Sequence, residues 1–204
     1  MGTFIYEKFY NSESDTKFYG LYDSIEEYAK KHTITHNILN NTKQISIDHL
    51  TPFELLRLGI LTEEECKAIF FLILREPVKR FISLCNYWDI SPDTLIYNIT
   101  KIDVLKKTRY NLFQHFRPQS DYIHETLKVS PNLRIFSMDN KTEIIEFLKE
   151  NFPEKNVDFS EKIYASTRLI YTISSLTEKH MNFIHDYYRE DFVWFNKTNI
   201  NTRG

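Results

Sequence analysis

The segment richest in chemistry runs Phe71-Leu-Ile-Leu-Arg75-Glu-Pro77-Val-Lys-Arg80-Phe-Ile-Ser83 and on to Trp88. The preceding run, Ala68 to Leu74, is apolar without alternation. That is the pattern of a strand covered on both faces, as in a parallel sheet flanked by helices. Such a strand delivers Arg75 at its carboxyl end, where open α/β sheets bind ligands. Pro77 suits the first position of a helix, whose N-terminus carries partial positive charge. Arg80 and Ser83 then fall on its first two turns. A guanidinium at a strand end and a hydroxyl on the adjoining helix make an anion socket, because arginine's fixed fork can hold two phosphate oxygens together. The plainer alternative pairs Arg75 with Glu76 or another carboxylate and merely ties strand to helix.

The glycine count decides what kind of phosphate site this can be. The 204 residues contain four glycines, where an average chain of this length carries roughly fourteen. Gly2 and Gly204 stand at the ends, so only Gly20 and Gly59 are internal. A glycine-rich dinucleotide fingerprint or a Walker-type loop needs several glycines close together and is excluded. Any phosphate must be gripped by side chains and ordinary helix ends. Hydrophobic residues at 42% supply a core for one domain over 1–204. Lys+Arg 26 against Asp+Glu 28 gives −2, so no global basic field points to nucleic acid. Cys66 and Cys85 lie in apolar stretches without metal-ligand spacing, which predicts buried reduced thiols. No apolar run reaches the ~18 residues of a membrane span and no signal-peptide core is visible, so the expectation is a cytoplasmic protein without a membrane partner.

Several elements must position these residues. Phe4 to Tyr10 reads as a strand, Asp23 to Lys31 as a short helix and Asn37 to Thr42 as a loop. Thr51-Pro-Phe-Glu54 is a capping box with proline at the first helical position, and Gly59 is a natural stop. Thr62 and Glu65 repeat the device for a second short helix. Pro77 opens a helix through Phe81, Leu84, Cys85 and Trp88, and Ser91-Pro92 opens another around Leu95 and Ile99. A second strand, Asn132 to Met138, precedes a helix from Lys141 to Asn151. Thr177 caps a final helix carrying Met181, Ile184 and Tyr188 on one face. Strand and helix alternate, so the class is α/β.

At these residues the chain resembles sulfotransferases that use 3'-phosphoadenosine 5'-phosphosulfate (PAPS), in the branch of carbohydrate sulfotransferases and their small microbial and viral relatives. Arg75-Glu76-Pro77-Val-Lys-Arg80-Phe81-Ile-Ser83 is similar to the family's adenosine 3'-phosphate segment. His49-Leu-Thr-Pro-Phe-Glu-Leu55 resembles the family's His-x-Thr-x-x-Glu-Leu segment. His115-Phe-Arg-Pro-Gln119 resembles its His-Phe/Trp-x-Pro-Gln segment, and Tyr187 to Phe195 its closing Tyr-x-x-Asp-x-x-Leu-Phe helix end. The matches keep the family's order over about residues 44 to 197. The resemblance implies a P-loop-NTPase-like parallel sheet flanked by helices, and PAPS as cofactor with the bisphosphate PAP as product. It implies that Arg75 and Ser83, with Arg80 beside them, hold the 3'-phosphate. It also implies a hydroxyl acceptor, a glycan or small molecule, with His115 and Arg117 in a loop that shapes the acceptor site or backs the cofactor; the plainer alternative is a polar loop anchoring two helices.

His49 is the candidate catalytic base. Sulfuryl transfer to an alcohol requires removal of the acceptor proton as the oxygen attacks, and imidazole suits that near neutral pH. The plainer reading makes His49 a backbone-bonding residue ahead of a helix. Asp191 and Gln119 read as structural. The family's Pro-Lys-x-Gly-x-Thr-Ser loop, which wraps the 5'-phosphosulfate, has no counterpart. The positional candidate is Ser12-Glu-Ser14-Asp-Thr16, with Lys8 and Lys17 near it. Two functions therefore stand: a PAPS-dependent sulfotransferase, or a catalytically degenerate relative that binds a nucleotide or a partner.

Overall fold

The computed structural model describes residues 50–108, 110–151, 153 and 169–200. The expected strand Phe4 to Tyr10, the helix Asp23 to Lys31, the loop at Asn37, the phosphosulfate-loop candidates and His49 lie outside them. Two compact units divide the chain. The described part of the first comprises residues 50–72 and 96–134, and that of the second 73–95 and 135–200.

In the first unit, helix α1 (Pro52–Arg57) starts at the expected capping box. Glu54 N–H donates to Thr51 Oγ1 at 3.2 Å, and Thr51 N–H donates to Glu54 Oε2 at 2.8 Å. Gly59 ends the segment at φ 68°, a left-handed value open to glycine without strain. Thr62 and Glu65 form the same reciprocal bonds, at 2.8 and 3.2 Å. Their product is one 3₁₀ turn, Glu65–Lys67, because strand β1 (Phe70–Leu74) begins three residues later and leaves no room for a helix. Leu50, Leu55, Ile60, Leu61 and Cys66 pack into one apolar cluster. Along the chain come helix α2 (Pro77–Trp88), in the second unit, and helix α3 (Pro92–Thr100), which runs from the second unit into the first and is capped by Ser91 Oγ, which accepts from Thr94 N–H. Three short helices come next: α4 (Ile102–Thr108), α5 (Tyr110–Phe116) and α6 (Gln119–Leu127). Helix α4 packs on α5, and α1 on α6.

Strand β2 (Leu133–Ser137) pairs with β1 in a two-stranded parallel sheet. Phe70 N–H donates to Asn132 O at 2.9 Å and Met138 N–H to Leu74 O at 2.7 Å. Full burial of β1 on both faces does not follow. Only Leu74 is buried, and the other four residues keep partial exposure. A ladder on one side is all that β1 has among the described residues. The structure is helix-rich with this small sheet, which is compatible with a general α/β class.

The second unit is centred on α2. Phe81 and Cys85 are fully buried, with Val78 and Leu84 beside them. Helix α7 (Lys141–Asn151) contributes Ile144 and Leu148, both fully buried. Helix α8 (Glu178–Tyr187) is capped by Thr177 as expected and buries Ile184. It is not the last helix: the chain turns at Tyr188 and continues as α9 (Arg189–Ile200). The periodic apolar positions run on past Tyr188 to Phe195, which hides the break from a pattern reading. Helix α8 packs on α2 and α9. A side chain also braces α2. Asn86, 8% exposed, accepts from the N–H groups of Ile170 and Tyr171 and donates to Tyr171 O, each at 2.9 Å. At its far end α2 stops on Asp89 in the left-handed region, φ 51°. A glycine-poor chain here gives a glycine position to aspartate, a residue that tolerates it better than most.

Candidate anion-binding site

The site begins where β1 ends. Leu74 is buried, Arg75 is half-buried, and Pro77 sets the first turn of α2. Glu76 is the N-cap: its Oε1 accepts from Val78 N–H at 3.1 Å and its Oε2 from Lys79 N–H at 2.8 Å. The helix N-terminus is therefore neutralised by a carboxylate of its own. A bound anion would have to be held by side chains, as the glycine shortage already required.

Three cations surround this point. Lys79 bonds Asp139 just beyond β2, its Nζ at 2.9 and 3.2 Å from the two carboxylate oxygens. Arg80 lies 3.9 Å from Asp191, whose side chain is fully buried, and its guanidinium sits 5.3 Å from the centroid of the Tyr188 ring. Burial draws the proton affinity of Arg75 below the ordinary guanidinium value; Asp139 acts against that shift and Arg80 adds to it. The Arg75 and Arg80 guanidiniums thus sense each other's charge. Ser83, one turn further on, is half-buried on α2. Arg75, Arg80 and Ser83 belong to one unit and one strand–helix junction. His115 and Arg117 belong to the other unit.

In that other unit His115 is half-buried in the last turn of α5, a helix rather than the expected loop. Arg117 is 4% exposed and grips Glu54 through two parallel bonds, Nη1 to Oε1 at 3.1 Å and Nη2 to Oε2 at 3.0 Å. Its guanidinium also lies 4.1 Å from the Tyr122 ring centroid. Burial pulls its proton affinity down, but Tyr122 and Glu54 outweigh that and the net shift is upward. That geometry ties α1 to the α5–α6 junction. Gln119 opens α6, and Asp191, 0% exposed, is the buried partner of Arg80.

Lys79 and Asp139 are the site residues that sequence reading missed. The rule that singled out Arg75 at one strand end applies equally to Asp139 at the other. Among the described residues no group of three or more His, Cys, Asp or Glu could hold a metal ion. A shallow pocket of about 440 Å³ lies at the amino ends of the strands, lined by Ile69, Pro131, Asn132, Leu133 and Arg134. It lacks the convergent titratable groups of a reaction site. No family model matches the chain, and no curated protein or solved structure matches it at a significant level. No described helix is long and apolar enough to cross a membrane.

Two buried acids, Cys85 on α2 and Tyr188 at the end of α8, set an alkaline limit. Desolvation pushes the Cys85 thiol from 9.0 up to about 12, against a backbone hydrogen bond that lowers it. Desolvation likewise pushes the Tyr188 hydroxyl from 10.0 up to about 12, with Arg80 opposing and Asp191 assisting. Both groups ionise more easily unfolded than folded. Their contribution to stability is complete below pH 9 and is lost as pH rises through 12. Urea midpoints should therefore stay level up to about pH 9 and fall steadily beyond it. Iodoacetamide at pH 8 should label Cys85 only after unfolding; rapid labelling of the native protein there would contradict the buried thiol.

Proposed function

We propose that the chain is a PAPS-dependent sulfotransferase acting on a hydroxyl acceptor of the carbohydrate class, on a P-loop-NTPase-like scaffold. The carrying observation is the junction of β1 and α2, where Arg75 is half-buried at the carboxyl end of a parallel strand and within the field of Arg80. Two guanidiniums with a hydroxyl one turn on suit a phosphate dianion, because each can donate several charge-assisted bonds to it. The residues present fit the 3'-phosphate half of the cofactor. When bound, the cofactor would supply the sulfuryl group. Arg75 and Ser83 would bind and orient its phosphate, and Arg80, held by Asp191 and Tyr188, would add positive potential. On the resemblance, His49 would take the acceptor's hydroxyl proton and His115 would touch the acceptor. Arg117, committed to Glu54, would act by fixing the helix that carries His115.

One observation favours the second reading, a relative that binds without transferring. Glu76 already fills the amide groups at the α2 N-terminus. Calorimetric titration with adenosine 3',5'-bisphosphate separates the possibilities. Wild type should bind, and Arg75→Ala should bind about 100-fold more weakly, in line with the loss of charge-assisted hydrogen bonds worth about 1.5–3 kcal/mol. His49→Ala should keep binding but lose transfer to a hydroxyl panel. No binding by wild type would overturn the enzyme reading, whereas binding without transfer by wild type would establish the degenerate one.

A further inference from the structure

The carboxylate of Asp139 occupies a telling position. It follows the carboxyl end of β2, as Arg75 follows that of β1, and bonds Lys79 through both oxygens. It is also the charge that supports the protonated form of Arg75. One carboxylate thus bonds Lys79 directly and acts on Arg75 through its charge. Its side chain is 51% exposed and that of Lys79 50%, so water can reach the pair. An exposed pair of this kind contributes little to stability, about 0–1 kcal/mol, and opens readily. The backbone supports its placement, since Asp139 N–H donates to the fully buried Ser137 Oγ at 3.2 Å.

We propose that Asp139 is a resident counter-ion of the anion site, displaced when a phosphate dianion binds, and that Lys79 transfers its bonds from Asp139 to that phosphate. This inference rests on the functional reading above and names a selectivity device within it. A dianion can outbid a single carboxylate for Lys79 and Arg75, whereas a monoanion of the same size cannot. Asp139 therefore excludes weakly charged anions and sets a threshold that the 3'-phosphate passes. The other neighbouring acids are already engaged, Glu76 with amide groups and Asp191 with Arg80.

The test is titration of wild type, Asp139→Asn, Lys79→Met and the Arg75→Ala/Asp139→Asn pair. The probes are adenosine 3',5'-bisphosphate, adenosine 5'-monophosphate and inorganic phosphate. Asp139→Asn should bind the bisphosphate about 3- to 10-fold more tightly and should gain measurable affinity for inorganic phosphate at about pH 6, where that probe is mainly a monoanion. Lys79→Met should bind the bisphosphate more weakly, and the double variant should bind it about 10- to 30-fold more weakly than wild type. Both altered side chains are half exposed, so melting temperatures without ligand should remain close to wild type. Unchanged or weaker binding by Asp139→Asn, with wild type binding through Arg75, overturns the counter-ion role and leaves the functional reading intact. Binding by Asp139→Asn alone upholds the role while removing PAPS chemistry from wild type. Failure of every variant to bind overturns both.

Discussion

Arg117→Ala is expected to lower the free energy of unfolding by about 3 kcal/mol, as breaking one partner out of a buried ion pair does. The arginine is 4% exposed, and its two bonds to Glu54 leave that carboxylate, 22% exposed, without its main cation when the arginine is removed. The substitution also strips the Tyr122 ring of the guanidinium stacked on it. Glu54 is shared: it serves the Thr51 capping box and Arg117 together, so the loss should reach the start of α1. Replacing both partners by apolar residues of similar size leaves no buried charge behind, so the remaining cost should be mainly that of the capping bond from Thr51 N–H to Glu54, about 1 kcal/mol. Urea denaturation of the single and double variants measures this directly. A loss below 1 kcal/mol for Arg117→Ala would reduce the pair to an ordinary surface contact. Activity lost through this residue would then have to be read as lost structure only if stability fell with it.

Arg80→Ala carries the second large effect, also about 3 kcal/mol. Asp191 has no exposed surface, and the cation nearest to it among the ion pairs is Arg80 at 3.9 Å. Tyr188 loses its guanidinium neighbour in the same substitution. Arg80→Ala should therefore weaken α2 against α8 and α9, while Arg75→Ala, half-buried at a strand end, should leave the melting temperature within a few degrees of wild type. The pair of variants separates folding from binding. If Arg80→Ala melted like wild type, the buried contact with Asp191 would not be stabilising and Arg80 could be counted with Arg75 as a ligand-facing group.

Local chemistry was legible wherever side chain and backbone meet within a few residues. Thr51 with Glu54, Thr177 before α8 and Ser91 before α3 are all written in cap residues, and α7 covers the expected Lys141 to Asn151. The Cys66 and Cys85 thiols are free and buried, as their apolar settings imply. What escaped depends on distance along the chain. Lys79 meets Asp139 sixty residues away, and Arg117 meets Glu54 across sixty-three. Neither partner choice has a local signature, because one exposed or half-exposed charge looks like another in sequence. The three short helices from Ile102 to Leu127 were missed for a different reason. They lack strong caps and long apolar stripes, and they are held by packing on neighbours such as α1. His115 thus moved from a loop to a helix end.

Asn86 has a consequence for which residue can stand there. A side-chain amide carries a donor and an acceptor on opposite edges, so it can pair with an extended backbone as a strand neighbour would. Here it supplies that pairing to Tyr171 from a helix. Aspartate matches its shape but would set oxygen against the Tyr171 carbonyl, and leucine would match its bulk and offer nothing. The demand is on the direction of hydrogen bonding, atom by atom. A change of one NH₂ group to an oxygen, as spontaneous deamidation makes, would be enough to unfasten the segment from α2.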